Sequence, residues 1–221
     1  MSNHWKNEAR GDLISLIPPG TRTVLDVGCN KGATLTMLRQ KGYTAIGMDI
    51  EDAREESKDV LFRKEDLGKA KLVVAHFGSP VDCALLGDVL EHIADTETAL
   101  KNIHSILSPF NGTIIVSVPN IGWIECIEAI AAQDFPRQDN GHFDRTHLRW
   151  FTRRVLIEAL EKAGFSDIKT YAKYLPNGLP QWPRGKEKAD VVFNKLMIRD
   201  LTEKEFNELF AYQWIATGVK K

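Results

Sequence analysis

The sequence predicts an α/β protein built on an open, doubly wound sheet whose strands are mostly parallel. Three observations carry that reading. Val24-Leu25-Asp26-Val27-Gly28-Cys29-Asn30-Lys31-Gly32-Ala33-Thr34-Leu35 reads as a buried strand, a glycine turn and the start of a helix. Acids recur where the next three strands end: Asp49 after Thr44–Met48, Asp66 after Val60–Lys64 and Asp88 after Val81–Gly87. The later strands are apolar almost throughout, as expected of parallel strands covered on both faces.

In chain order, Trp5, Ala9, Leu13 and Leu16 repeat at three- and four-residue spacing, an amphipathic helix ended by Pro18-Pro19-Gly20. Thr23–Val27 is the first strand, and the helix from Ala33 puts Leu35 and Leu38 on one face before Gly42 stops it. Thr44–Ile50 is the second strand, charged Glu51–Asp59 a short solvated helix or loop, and Val60–Lys64 the third strand. Leu72-Val73-Val74-Ala75 reads as helix, because parallel neighbours need a crossover there. Val81–Gly87, apolar except at Asp82, is the fourth strand. A helix then begins near Glu91, takes its period from Thr98, Leu100, Ile103 and Leu107, and breaks at Ser108-Pro109. Thr113–Val118, largely β-branched, is the fifth strand, closed by Pro119-Asn120. Trp123–Ala132 is a helix followed by an irregular loop to Arg149, in which Trp150 and Phe151 read as core. Thr152 caps a helix carrying Val155, Leu156, Ala159 and Leu160 that stops at Ala163-Gly164. Ser166–Tyr174 alternates as a sixth strand, Asn177–Gly185 is a loop, Lys186–Phe210 reads as helix and Tyr212–Thr217 as the last strand.

A chain of 221 residues suits one domain. Its net charge of −1, with both signs spread along the chain, gives no nucleic-acid footprint. Cys29, Cys83 and Cys126 lack metal-like spacing and read as free thiols of a reducing compartment. No apolar run reaches membrane-helix length, and Met1–Arg10 is too polar for a signal peptide, so the expectation is a soluble, cytoplasmic protein without membrane insertion.

The glycine loop lets a ligand lie against bare backbone, next to the unpaired N–H groups of a helix start. Four carboxylates, Asp26, Asp49, Asp66 and Asp88, converge on the crevice at the strand ends. They would repel a pyrophosphate and welcome a ligand bearing a sulfonium, an ammonium and ribose hydroxyls. At these residues the chain resembles the class I S-adenosylmethionine-dependent methyltransferases, from about Val24 to Gly164. The resemblance implies a single Rossmann-like domain over 1–221, with an antiparallel last strand. It also implies an N-terminal helix or lid over 1–20 that turns Trp5 or Arg10 towards the site, and acceptor-side insertions at 121–151 and 174–185. Asp26, Gly28 and Gly32 match the positions that hold the methionine end. Asn30 stands where the family usually has glycine, and asparagine tolerates a left-handed backbone. Asp49, followed by Ile50, matches the ribose-binding acid. Asp66 and Leu67 match the adenine contact, and Asp88-Val89-Leu90-Glu91-His92-Ile93 the segment after the fourth strand.

Methyl transfer to a hydroxyl usually requires a base, and histidine is the commonest choice. His4, His76 and His104 fall away from the crevice. His92 follows the fourth strand, and His142 and His147 bracket Asp144 in a loop after the fifth. The expectation is that His142 or His147 is the base, oriented by Asp144, with Arg145 or Arg149 pairing an anionic acceptor or bridging to Asp144. The stretch His142–Thr152 resembles the acceptor side of small-molecule methyltransferases of sugar, quinone and secondary-metabolite pathways. Asp88, Glu91 and His92 resemble the acid-acid-histidine set of ubiquinone-type O-methyltransferases, which could hold a hard divalent ion such as Mg. The function expected is methyl transfer to a small-molecule hydroxyl. The rivals are a nicotinamide-dependent oxidoreductase, disfavoured by the missing third glycine, and a non-catalytic S-adenosylmethionine-binding protein. Nothing in the pattern fixes the oligomeric state, and a homodimer stays open.

Overall fold

A computed structural model describes residues 8–176 and 180–221. His4 and Trp5, and 177–179 of the expected loop, lie outside the described residues. The elements are α1 (Gly11–Ile14), β1 (Thr23–Val27), α2 (Ala33–Gln40), β2 (Thr44–Asp49), β3 (Leu61–Lys64), β4 (Cys83–Gly87), α3 (Thr96–Ile106), β5 (Thr113–Pro119), α4 (Ile124–Ala131), α5 (Arg153–Lys162), β6 (Phe165–Lys173), β7 (Lys188–Phe193), β8 (Leu196–Thr202), α6 (Glu203–Phe210) and β9 (Gln213–Lys220).

Seven strands form one sheet in the order β3-β2-β1-β4-β5-β9-β6. The first five are parallel, and β9 runs antiparallel between β5 and β6. Strand order reverses between β1 and β4, where an open sheet of this kind opens its ligand crevice. The period of two in β1 serves both faces. Leu25 and Val27 pack towards Leu100, Ile103, Leu156 and Leu160 of α3 and α5, whereas Val24 packs towards Leu13 of α1 and Leu35 and Leu38 of α2. No helix among the described residues is long and apolar enough to cross a membrane. All three cysteines are buried and free.

Several expectations are corrected. Among the described residues the N-terminal helix is the single turn Gly11–Ile14, and the helix expected in the crossover before β4 is a short 3-10 turn at Val74–Phe77. The stretch Glu51–Asp59 takes the loop form of the two expected, but it is not solvated throughout, because Arg54 is buried: the guanidinium donates to Asp52 and to the Ser57 and Val60 carbonyls, over the face of Phe62. The helix expected near Glu91 starts at Thr96, because the Asp95 side chain accepts from Thr98 N–H and caps it there; Leu90–His92 is a separate 3-10 turn. Lys186–Phe210 is a β7–β8 hairpin followed by α6. Asn194 at φ 50° forms its tight turn, β-branched residues favour the strands, and a capping box of Thr202 and Glu205 starts α6. Phe151 is buried as expected, but Trp150 is exposed and packs edge-on against Phe135.

Candidate active site

One cavity of about 980 Å³ opens at the carboxyl ends of β1, β2, β4 and β5. Asp26, Gly28, Asn30, Gly32, Asp49, Ile50, Asp66 and Leu67 line one end of it, and Asp88, Glu91, His92, His142, Asp144 and His147 line the other. These residues, expected from the sequence, therefore border a single space, whereas Arg145 and Arg149 do not line it.

At the first end the β1–α2 loop runs through left-handed backbone at Gly28 (φ 71°), Asn30 (φ 43°) and Gly32 (φ 93°). Asn30 takes the conformation expected of the family's glycine, and its N–H donates to Asp49 Oδ2 at 2.9 Å. Asp49 thus ties the end of β2 to the glycine loop. A Cβ on Gly32 would stand 2.6 Å from the Glu56 carbonyl oxygen, and backbone cannot easily give way. Gly32→Ala should therefore cost about 2 kcal/mol or more, from left-handed strain and overlap together. A thermal melt that matches the wild type would contradict this. Asp66 accepts from Gly68 N–H at 3.0 Å, and Lys69 beside it holds its carboxyl below the usual range. Leu67 is buried and belongs to the core as well as the cavity wall, whereas Ile50 stands exposed at the rim.

Asp26 differs from these acids. It is buried, its Oδ2 has no hydrogen-bond partner among the described residues, and desolvation, with Asp49 nearby, pushes its carboxyl up to about 7. Asp88 is the opposite case. Its carboxylate accepts from Arg10 at 3.0 Å, Ser117 Oγ at 2.8 Å and Gln213 Nε2 at 2.6 Å. Arg10 also donates to Ser117 and Asp12, and Lys173 donates to Asp12 at 2.7 Å. Gly87 leaves the room this needs, since a Cβ there would meet Arg10 Nη1 at 2.7 Å. Arg10 faces the site, as one of the two residues expected to do so; Ser117 and Gln213 carried no local signal. With Asp88 committed to these partners, the expected set of Asp88, Glu91 and His92 does not come together to hold a metal.

At the other end three histidines have defined tautomers, because a carbonyl can only accept. His142 Nε2–H donates to the Tyr212 carbonyl at 2.7 Å, with its ring stacked on Trp123. His147 Nδ1–H donates to the His142 carbonyl at 3.0 Å. Asp144 accepts from Thr146 N–H at 2.8 Å and Thr146 Oγ1 at 2.6 Å, so the Thr146 oxygen is left to accept from His92 Nδ1–H at 3.0 Å. Asp144 therefore orients His92 through Thr146, where the sequence pointed to His142 or His147. Neither arginine bridges to Asp144: Arg145 pairs with Asp139, and Arg149 donates to the Ala94 carbonyl. Burial lowers both His92 and His142 below the usual histidine range. Glu91 is 1% exposed, and neither of its carboxyl oxygens has a partner among the described residues; burial and the nearby Asp88 raise it well above the usual range. Its backbone carbonyl accepts from Leu148 and Arg149 N–H, which fastens the histidine loop to the turn after β4.

A family model described as a methyltransferase domain matches residues 3–170. An uncharacterized methyltransferase of Mycobacterium tuberculosis is 29% identical over 125 residues, 52% of this chain and 61% of that protein. A ubiquinone biosynthesis O-methyltransferase of Bartonella tribocorum is 25% identical over 121 residues, 52% of this chain and 49% of that protein. A tRNA 5-carboxymethoxyuridine methyltransferase of Escherichia coli is 29% identical over 113 residues, 48% and 42%. The chain thus spans less than two thirds of the length of these curated relatives. Among solved structures, the Burkholderia thailandensis 1,6-didemethyltoxoflavin-N1-methyltransferase, with bound 1,6-didemethyltoxoflavin and S-adenosylhomocysteine, shares the fold at a TM-score of 0.59, with 18% identity and coverage of 99% of this chain and 81% of that one. The motif, the sheet order and the matched family model agree, and the chain belongs to the family built on this methyltransferase domain.

Proposed function

We propose that the chain transfers a methyl group from S-adenosylmethionine to a hydroxyl oxygen of a small-molecule acceptor. The observation that carries this reading is the single cavity joining the carboxylate end to the histidine end. Asp49 accepts from the ribose hydroxyls, Asp66 and Leu67 take the adenine, and Asp26 faces the cationic methionine end. The bound cofactor supplies an electrophilic methyl carbon. His142 then takes the acceptor's proton: its Nε2–H is fixed on Tyr212, so Nδ1 carries the lone pair. The oxidoreductase reading fares worse, because Asp26, Asp49 and Asp66 line the end where a pyrophosphate would have to lie.

The ubiquinone relative favours oxygen and a small acceptor, and the E. coli relative acts on tRNA. The net charge of −1 favours the former class. The test is transfer of labelled methyl from S-adenosylmethionine across a panel of phenols, catechols and hydroxylated heterocycles, with bulk tRNA alongside. Turnover on a hydroxylated small molecule is expected. Label entering tRNA alone would overturn the acceptor class, and cofactor binding without turnover on either would favour a non-catalytic binding protein.

A further inference from the structure

Glu91, His92 and His147 have no task in the methyl transfer derived above, yet they stand together. One carboxyl oxygen of Glu91 and one nitrogen of each ring all lie within 4.8 Å of one another, and the two rings meet edge to face at 4.9 Å. We propose that these three side chains bind a divalent transition-metal ion, zinc fitting best.

Three features support the assignment. Both rings give their Nδ1–H to Thr146 or to the His142 carbonyl, which leaves the lone pair on Nε2 in each. That outer hydrogen bond is what fixes a metal-ligating histidine in its tautomer. Glu91 is the second feature: a carboxyl buried with neither oxygen partnered needs a cation or a proton, and here two neutral imidazoles flank it. The third is distance. Zinc bonds of about 2 Å keep two ligands within about 4 Å, so closure needs side-chain shifts of under about 1 Å. Two nitrogens and one oxygen suit zinc, which leaves a fourth position open in catalytic sites; Mg prefers an all-oxygen shell. The ion expected here therefore differs from the hard ion suggested by Asp88, Glu91 and His92, and His147 takes the place of Asp88.

All three ligands border the acceptor end of the cavity. An acceptor hydroxyl in the fourth position would lose its proton more readily, next to His142. That role rests on the methyl-transfer reading; the metal site itself does not.

The test titrates metal-free protein with Co²⁺, followed by its d–d absorption, and with Zn²⁺ by calorimetry, for the wild type, His92→Ala and Glu91→Gln. The expected result is one saturable site per chain, weakened at least about tenfold in each variant. His92 is partly accessible in the 3-10 turn, so its variant should fold, and unchanged S-adenosylhomocysteine binding checks this. Absence of saturable binding below millimolar metal, or binding that both variants retain, would overturn the proposal. Metal binding with no methyl transfer would leave the site standing and sink the function instead.

Discussion

Replacing His142 by alanine should lower kcat by about 10²- to 10⁴-fold, the range for loss of a general base, and leave S-adenosylhomocysteine affinity nearly unchanged. The ring is buried against Trp123, its Nε2 proton is anchored on Tyr212, and the imidazole borders the histidine end of the cavity, away from Asp49 and Asp66. Steady-state kinetics on any acceptor that turns over would check it. A drop of less than threefold would assign the base elsewhere, with His92, held by Thr146 and Asp144, next to be tried.

The second large effect concerns Asp26. Its carboxyl titrates near 7 in the fold, against 3.8 for the ordinary side chain. Between those values the native state holds the proton and the unfolded state has lost it, so stability falls as pH rises through that window. The difference of about 3 pH units, at 1.36 kcal/mol each, amounts to about 4 kcal/mol by pH 8. Asp26→Asn should therefore melt higher than the wild type at pH 8 and close to it at pH 4. A ligand ammonium would favour the ionised form, so cofactor affinity in the wild type should rise with pH and level off above about 7. Melts and titrations at pH 5, 6, 7 and 8 decide this. An affinity independent of pH would show that Asp26 does not face the cationic end.

The parallel core was legible because strands buried on both faces leave continuous apolar runs, and β1, β2 and β5 fall close to where the residues place them. The hairpin was not. Val191, Phe193, Leu196 and Ile198 pack with Ile124, Phe206 and Phe210, and short apolar spacings of this kind fit helix and strand alike until a partner is known. The loop conformation at Asn30 was readable from residue type alone. The partners of Asp88 were not, since Arg10, Ser117 and Gln213 lie 78, 29 and 125 positions away. That distance in sequence is why an acid that reads as a metal ligand proves to be committed to an arginine. His147 joins Glu91 through the same kind of long-range closure, the backbone contacts of 148 and 149 with the Glu91 carbonyl.

The most direct test of the account is calorimetric titration of S-adenosylhomocysteine into the wild type and Asp49→Ala, with NADH as the control ligand. The expected result is micromolar binding to the wild type, loss of about tenfold or more in Asp49→Ala as charge-assisted hydrogen bonds to the ribose disappear, and no heat from NADH. Absence of S-adenosylhomocysteine binding, or NADH binding more tightly, would contradict it.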